Sequence, residues 1–303
     1  MSMIEVDKLT KDYGHGRGVF DVSFEVNEGE TLGFLGPNGA GKSTTMRHLM
    51  GFSRPQSGRV SIAGMDCGSQ QHKLLGKVGY LPGEVALPEG LTGQQFIEMM
   101  QGLRGVRSNE RVRSLLELFR LDPSGSVKRM SIGEKRKLAV VTAFMSDPEV
   151  LLLDEPTSGL DPVMQEVFTE FIRSEKKRGK TILLSSHIFS EVEALCDRIA
   201  IIKDGRLVST VLAEDVRHGL HNIMTVEFDS EKDFRRFIQS GMEPDEASGR
   251  YCRVTVDDSD MDRFIHALKE CRIRSLNEHC VTLEEYFMHF YKNNKTFGGV
   301  CNA

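Results

Sequence analysis

Tryptophan is absent from the sequence, aromatic residues make up only 7% of it, and neither sign of charge dominates. The formal net charge is −5, so the chain has no basic surplus with which to neutralise a phosphate backbone, and we expect no nucleic-acid partner. The six cysteines show no C-x-x-C spacing, which argues against a zinc site or a disulfide framework. We therefore expect a reduced, cytosolic protein.

Long apolar runs are also missing. The N-terminal residues lack the basic-then-apolar order of a signal peptide, and the run at 138–145 is far shorter than the roughly 18 residues that span a bilayer. We expect no segment of this sequence to cross a membrane. If the protein drives transport, the channel must come from another chain.

The order of predicted elements indicates two unequal domains in the 303 residues. Strand-like runs dominate up to about residue 68, helical spacing follows over about 70–144, and strands and helices then alternate, which predicts a parallel α/β sheet. The Asp-Gly pair at 204–205 predicts a hairpin turn. Beyond about 220, two β-α-β halves closed by a helix over 283–291 predict a small ferredoxin-like domain.

A glycine-rich segment that follows the apolar run TLGFL carries the strongest chemical signal. Glycines in such a loop let backbone N–H groups curl around a triphosphate at a helix N-terminus. Lys42 would reach the β- and γ-phosphate oxygens, and the Ser43 hydroxyl would bind Mg²⁺. The segment consists of Gly36, Pro37, Asn38, Gly39, Ala40, Gly41, Lys42, Ser43 and Thr44. A glycine turn without a ligand is the alternative, and the flanking strand and helix argue against it.

Two acids end the apolar run LLLDE at 151–155. A strand buried on both faces would deliver Asp154 beside the phosphate loop, where it can hold the coordination shell of the metal. Glu155 would then be placed to polarise an attacking water. An acidic pair at a strand end is often only solvated, but the phosphate loop upstream favours the catalytic interpretation.

Four motifs stand in the order and spacing typical of ATP-binding subunits of ABC transporters, which the sequence resembles over about residues 3–218. They are the phosphate loop, MSIGE at 130–134, LLLDEPTSGLD at 151–161 and SSH at 185–187. This resemblance implies an α/β fold, a P-loop NTPase of the ABC ATPase type with a β-rich subdomain and a helical subdomain.

The element pattern predicts an α+β accessory domain over 220–303, and the same resemblance implies an ATPase domain over 1–219 with its helical insert at about 70–144. It also implies binding and hydrolysis of ATP with Mg²⁺. The subunit would lie on the cytoplasmic face of the cell membrane and would drive a transmembrane permease carried on a separate chain.

Carried over position by position, the resemblance implies roles for five further residues. Tyr13 would stack on adenine, and His187 would sense the γ-phosphate. Ser131 and Gly133 would open a helix whose N-terminus binds the γ-phosphate of the ATP held by the opposite subunit. Asp161 would touch that subunit. Each site would therefore need two chains, in a homodimer or a heterodimer.

Two positions depart from the family pattern. Glu134 places a carboxylate near the triphosphate, in a signature that usually reads Leu-Ser-Gly-Gly-Gln. Gly83 stands where the family has a glutamine that touches Mg²⁺ and couples to the membrane partner. We expect a water molecule, rather than the neighbouring Glu84, to take the vacant metal position.

The segment YLPGE and the C-terminal LEEYFMHFY resemble bacterial exporters of the daunorubicin-resistance type. An ABC ATPase acting on DNA would carry a coiled-coil insert or zinc ligands, and a translation factor would carry two ATPase units; this sequence has neither. A soluble or regulatory ABC ATPase not coupled to transport stays open as the alternative. Gly83 and Glu134 favour a non-catalytic regulatory module, whereas the intact Lys42, Asp154, Glu155 and His187 oppose it.

Overall fold

The structure, a computed structural model, describes residues 2–217, 222–256, 260–280, 283, 284 and 287. The chain forms two compact units, Met1–Val211 and Leu212–Ala303. The domain boundary at 219–220 stays a prediction, because residues 218–221 lie outside the described part of the chain.

A four-stranded antiparallel sheet forms one layer of the first unit. Its strands are β1 (Ser2–Asp12), β2 (Gly18–Asn27), β4 (Ser57–Ile62) and β5 (Met65–Asp66). They lie in the order β2-β1-β4-β5, and neighbouring strands pair in the antiparallel sense. Along β1 and β2, residues on one face are buried and those on the other are exposed, as expected for a sheet with one face on the core.

A six-stranded sheet forms the centre of the first unit. Its strands are β3 (Thr31–Leu35), β6 (Val78–Leu81), β7 (Val150–Asp154), β8 (Thr181–Ser186), β9 (Arg198–Lys203) and β10 (Arg206–Leu212), in the order β10-β9-β3-β8-β7-β6. Pairing is parallel from β9 to β6. Every residue of β3, β7 and β8 is buried, which is why these strands are continuous apolar runs. The predicted parallel sheet is confirmed.

Strand β6 is the one element that the sequence pattern did not separate from the helical insert. It pairs with β7 inside the range predicted as helical. Its four residues, VGYL, are too few to show a period of two, so only the partner strand identifies them as a strand. The turn between β9 and β10 is as predicted, since Asp204 and Gly205 both have positive φ angles, 48° and 74°.

Three helices of the first unit, which begin at Gly93, Ile132 and Pro162, have a capping side chain that accepts from a free N–H group. Thr92 and Gln95 form a capping box at the start of α3, and Asp161 caps α6 ahead of Pro162. The helices are α1 (Lys42–Leu49), α2 (Gln71–Leu74), α3 (Gly93–Arg104), α4 (Glu110–Leu118), α5 (Ile132–Phe144), α6 (Pro162–Lys177) and α7 (Phe189–Leu195), with a 3-10 helix at Val127–Arg129.

An aromatic cluster fixes α5 against α6. The ring centroids of Phe144 and Phe171 are 4.9 Å apart, and those of Phe119 and Phe171 are 5.6 Å apart. Nearby, Arg111 of α4 forms an ion pair of 2.8 Å with the buried Glu175 of α6. Because α5 follows the signature motif directly, this packing sets the position of that motif in the fold.

The second unit has the ferredoxin-like arrangement that the sequence predicts. Helix α8 (Ala213–Arg217) precedes β11 (Asn222–Phe228), α9 (Glu231–Gln239), β12 (Glu246–Ser248), β13 (Tyr251–Val256), α10 (Met261–Leu268) and β14 (Ile273–Cys280). The antiparallel strand order is β12-β13-β11-β14. Phe228, Phe237 and Phe264 pack in its core. Most of the predicted helix at 283–291 lies outside the described residues.

None of the helices in the described ranges combines the length and the hydropathy needed to cross a bilayer.

Candidate functional site

The phosphate loop joins the buried end of β3 to the first turn of α1. Gly39 and Gly41 have left-handed φ angles of 83° and 108°, which glycine adopts at little steric cost. A Cβ atom at Gly36 would lie 2.5 Å from the carbonyl oxygen of Ile202, and one at Gly41 would lie 2.7 Å from Val19 Cγ1. These three positions therefore require glycine, and the loop keeps the tight curve that a phosphate cradle needs.

Lys42 begins α1 and points back across this loop. Its ammonium donates hydrogen bonds to the carbonyl oxygens of Gly36, at 2.6 Å, and of Pro37, at 3.1 Å. The residue is only 4% exposed, and its Nζ also lies 3.3 Å from Glu155 Oε1. The loop thus holds a buried cation at its centre, beside the predicted catalytic carboxylate.

Glu155 follows β7 with an unusual backbone. Its φ angle is 45°, a region that residues other than glycine seldom occupy. Its N–H donates to the carbonyl oxygen of Ser185 at 3.0 Å. Its carboxylate lies 3.3 Å from Lys42 Nζ and 3.3 Å from His187 Nδ1. The structure thus brings together three residues that the sequence predicted for the site.

Asp154 is the last residue of β7 and is buried. The hydroxyl of Ser185 on the neighbouring strand β8 donates a hydrogen bond to its Oδ1. Its other oxygen faces Gly83, where an added Cβ atom would lie 3.2 Å away. Asp154 is therefore fixed from one side and has a glycine on the other. The motif SSH contains Ser185 but predicted no role for it, because a serine at a strand end has no distinguishing local pattern.

The donor set around the loop fits Mg²⁺. Ser43 is exposed in the first turn of α1, and its hydroxyl has no hydrogen-bond partner among the described residues. The described ranges contain no group of three or more His, Cys, Asp or Glu residues placed to hold a metal. Mg²⁺ commonly takes one or two protein oxygens and fills its remaining positions with water and phosphate oxygens. One hydroxyl and one carboxylate are sufficient for that mode of binding.

Tyr13 lies in the turn between β1 and β2, and its side chain is 55% exposed. Its N–H closes the turn by donating to the carbonyl oxygen of Arg17 at 2.8 Å. The same turn reaches the phosphate loop, since a Cβ atom at Gly41 would be 3.3 Å from the carbonyl oxygen of Gly18. An open aromatic ring on this turn suits a planar base, and the contact with adenine stays a prediction.

The signature residues lie at the N-terminus of α5. Ser131 is the N-cap, and a Cβ atom at Gly133 would lie 3.2 Å from the carbonyl oxygen of Gly159. Asp161 caps α6, where its Oδ1 accepts from the Met164 N–H at 3.0 Å. Among the described residues, no hydrogen bond or ion pair joins Ser131 or Asp161 to the phosphate loop. Their predicted contacts with a second chain stay predictions.

Glu134 has a local structural role that the motif comparison did not anticipate. Its carboxylate accepts hydrogen bonds from the N–H and the hydroxyl of Ser131, both at 2.8 Å, while its own N–H donates to the Ser131 hydroxyl at 3.2 Å. The backbone and hydroxyl hydrogen bonds from Ser131 lower the pKa of Glu134. Glu134 thus forms a reciprocal helix cap, which a glutamine at this position can also form, and it places a carboxylate ion on the signature serine.

Arg136, which the sequence motifs did not single out, is the largest fully buried side chain in the part of the chain that the structure describes. Its guanidinium donates to the backbone carbonyl oxygens of Asp154 and Glu155. A weak signal existed in the sequence, because positions 136, 139, 140 and 143 share one face of a helix and the last three are apolar. The adjacent Lys135 and Lys137 obscured it.

The phosphate loop, the strand-end acids and the histidine beside them define a nucleotide-binding site of the phosphate-loop class. A family model described as ABC transporter matches residues 19–158. The Nod factor export ATP-binding protein I of Paraburkholderia xenovorans (strain LB400) is 38% identical over 211 residues, which are 68% of this chain and 69% of that protein. The probable multidrug ABC transporter ATP-binding protein YbhF of Escherichia coli (strain K12) is 36% identical over 221 residues, and this chain spans only 38% of its length.

Solved structures agree with these relatives. The ATP binding subunit of an ABC transporter matches with a TM-score of 0.66 at 33% identity, over 72% of this chain and 92% of that one. The dimeric cassette MJ0796 bound to ADP and Pi matches with a TM-score of 0.63 at 24% identity, which shows a shared fold. The chain therefore belongs to the ATP-binding subunits of ABC transporters, a family of ATPases, as the motif order predicts.

Proposed function

We propose that this chain hydrolyses Mg²⁺-ATP to power an exporter whose membrane-spanning part is a separate polypeptide. It would act as a dimer on the cytoplasmic face of the membrane. The observation that carries the hydrolytic part is the position of Glu155, whose carboxylate lies 3.3 Å from both Lys42 Nζ and His187 Nδ1. A base between a phosphate-binding lysine and a histidine suits attack of water on a γ-phosphate.

The contacts of Lys42 indicate how ATP would activate this base. In the structure, the ammonium contacts two carbonyl oxygens of the loop and the carboxylate of Glu155. Phosphate oxygens carry more charge than carbonyl oxygens, so they would draw the ammonium towards themselves and weaken its pairing with Glu155. The carboxylate would then be free to accept a proton from water, with His187 near the γ-phosphate. Mg²⁺, held by Ser43 and Asp154, would neutralise charge on the phosphates.

The remaining site residues support a composite site in a dimer. Ser131 and Gly133 present the N-terminus of α5, a 13-residue helix whose free N–H groups favour anions. In a dimer this N-terminus would bind the γ-phosphate of the partner's ATP, Asp161 would touch the partner, and Tyr13 would stack on adenine. The second unit, which contains none of the nucleotide motifs, would modify dimer lifetime or transport regulation.

Export is supported by the names of the relatives, a probable multidrug transporter ATP-binding protein and a Nod factor export ATP-binding protein. A tagged Glu155→Gln variant, purified with ATP from membranes of cells that express it, should retain an integral membrane protein. Recovery of the folded variant only from the soluble fraction, with wild-type ATPase activity intact, would favour the regulatory alternative.

Hydrolysis itself is tested by Glu155→Gln. The amide keeps the shape of the side chain and loses its basicity, so kcat should fall by about 10²-fold or more while ATP binding survives. Glu149→Gln is the matched control, since Glu149 precedes the same strand and is 64% exposed. Unchanged turnover in Glu155→Gln would remove the assignment of the base.

A further inference from the structure

Arg136 connects three segments of the site through a single buried guanidinium. It lies on α5, is 1% exposed, and donates from all three of its nitrogens. It contacts five backbone carbonyl oxygens: Pro156 at 2.9 Å, Asp154 at 3.1 Å, Gly83 at 3.3 Å, and Pro82 and Glu155 at shorter distances. An arginine side chain has five N–H donors, so the number of acceptors matches its full capacity.

These acceptors belong to two segments outside α5. Pro82 and Gly83 follow β6, and the other three carbonyls are consecutive at the end of β7. Burial lowers the pKa of Arg136 to about 10, so the group stays charged at neutral pH. A buried charge is costly unless it is fully hydrogen-bonded. The fully satisfied fork therefore resists displacement of any one of the carbonyls.

Among the five acceptors, Glu155 has the backbone conformation that most requires a fixed partner. Its positive φ angle of 45° is unfavourable for a residue with a side chain, and such a conformation persists only where the surroundings fix it. The N–H of Glu155 is fixed by the carbonyl of Ser185 and its carbonyl by Arg136. Both sides of the residue are thus held, which directs its carboxylate towards Lys42 and His187.

We propose that Arg136 is a positioning residue, which holds the backbone of Glu155 so that its carboxylate reaches the attacking water, and which links that carboxylate to the signature helix α5. This inference rests on the proposed hydrolytic function. It gives Arg136 no contact with ATP. Removing it should therefore lower kcat and leave nucleotide affinity unchanged.

The test measures kcat and the dissociation constant of ATP separately in Arg136→Gln. Misplacement of a reacting group by about 1 Å can cost 10²-fold, so we expect kcat to fall by about 10-fold to 100-fold and the dissociation constant to change by less than about twofold. Rates are expressed per nucleotide-binding site, so that a loss of folded protein does not count. Arg136→Lys keeps the charge but not the five-donor fork, so its kcat should lie between that of the wild type and that of Arg136→Gln.

A double-mutant cycle separates positioning from general destabilisation. If Arg136 acts through the carboxylate, adding Arg136→Gln to Glu155→Gln should lower single-turnover hydrolysis by less than about twofold further. Arg104→Gln is the matched control, because Arg104 donates to Val78 and Ser146 at 3.1 Å and has no contact with Glu155. It should lower the melting temperature without lowering kcat.

Three results would overturn the proposal. One is a wild-type kcat per site in folded Arg136→Gln. Another is that Arg136→Gln lowers hydrolysis by the same factor in the wild type and in Glu155→Gln. If Arg136→Gln does not fold, a folded Arg136→Lys with wild-type kcat would have the same meaning. In contrast, failure of the proposed function would appear as a wild-type protein without ATPase activity, or as an unaffected Glu155→Gln.

Discussion

A substitution at Gly83 tests how closely the loop after β6 approaches the carboxylate of Asp154, the predicted Mg²⁺-binding acid. A Cβ atom there would lie 3.2 Å from Asp154 Oδ2 and 3.4 Å from Asp154 Cγ, so the carboxylate would have to move by a few tenths of an ångström. The hydrogen bond from the Ser185 hydroxyl holds Asp154 in place and opposes that movement. Overpacking costs about 1–3 kcal/mol, and a hydrogen bond to a charged group contributes about 1.5–3 kcal/mol.

Since 1.4 kcal/mol is a factor of ten, Gly83→Ala should raise the half-saturating Mg²⁺ concentration by about tenfold or more. Gly83→Gln adds the same Cβ atom together with an amide oxygen, a donor that Mg²⁺ accepts. If the amide acts as a ligand, the half-saturating Mg²⁺ concentration of Gly83→Gln should lie within about threefold of the wild-type value. The measurement is a Mg²⁺ titration of fluorescent-nucleotide binding, repeated for ATPase activity.

Glu84→Ala completes the series. Because Mg²⁺ readily retains water, we expect this variant to keep the wild-type Mg²⁺ dependence. Weakening of about tenfold in Glu84→Ala would show that its carboxylate is a metal ligand and would refute the role given to water. An unchanged Mg²⁺ dependence in Gly83→Ala would refute the close approach of the loop to Asp154.

Two further predictions concern the shared site. Glu134→Gln should retain the helix cap and remove a negative charge from the signature. Because unit charges 4 Å apart interact by about 1 kcal/mol in water, the half-saturating ATP concentration of hydrolysis should fall by about twofold to fivefold. A higher half-saturating concentration would contradict this prediction. An equal mixture of Ser131→Arg and Lys42→Ala chains should regain about a quarter of the wild-type ATPase rate, since half of a random dimer population carries one intact site. A mixture no better than either parent would argue against sites built from two chains.

The site residues predicted from sequence were those whose role depends on neighbours along the chain. The glycines of the phosphate loop precede Lys42 and Ser43 on one turn, and the strand that ends in Asp154 and Glu155 is apolar throughout because both its faces are buried. The capping box at 131–134 is equally local, since a serine followed three residues later by glutamate predicts it.

Other features were decided by the tertiary structure alone. The sequence pattern does not distinguish among the three consecutive basic residues Lys135, Arg136 and Lys137. Only the packing of α5 determines that Arg136 is buried against five carbonyl groups. Ser185 becomes a partner of Asp154 only because β8 pairs with β7 in the observed register. Local propensity and periodicity carry no information about such contacts, because they join residues separated by tens of positions and depend on which strands and helices pack together.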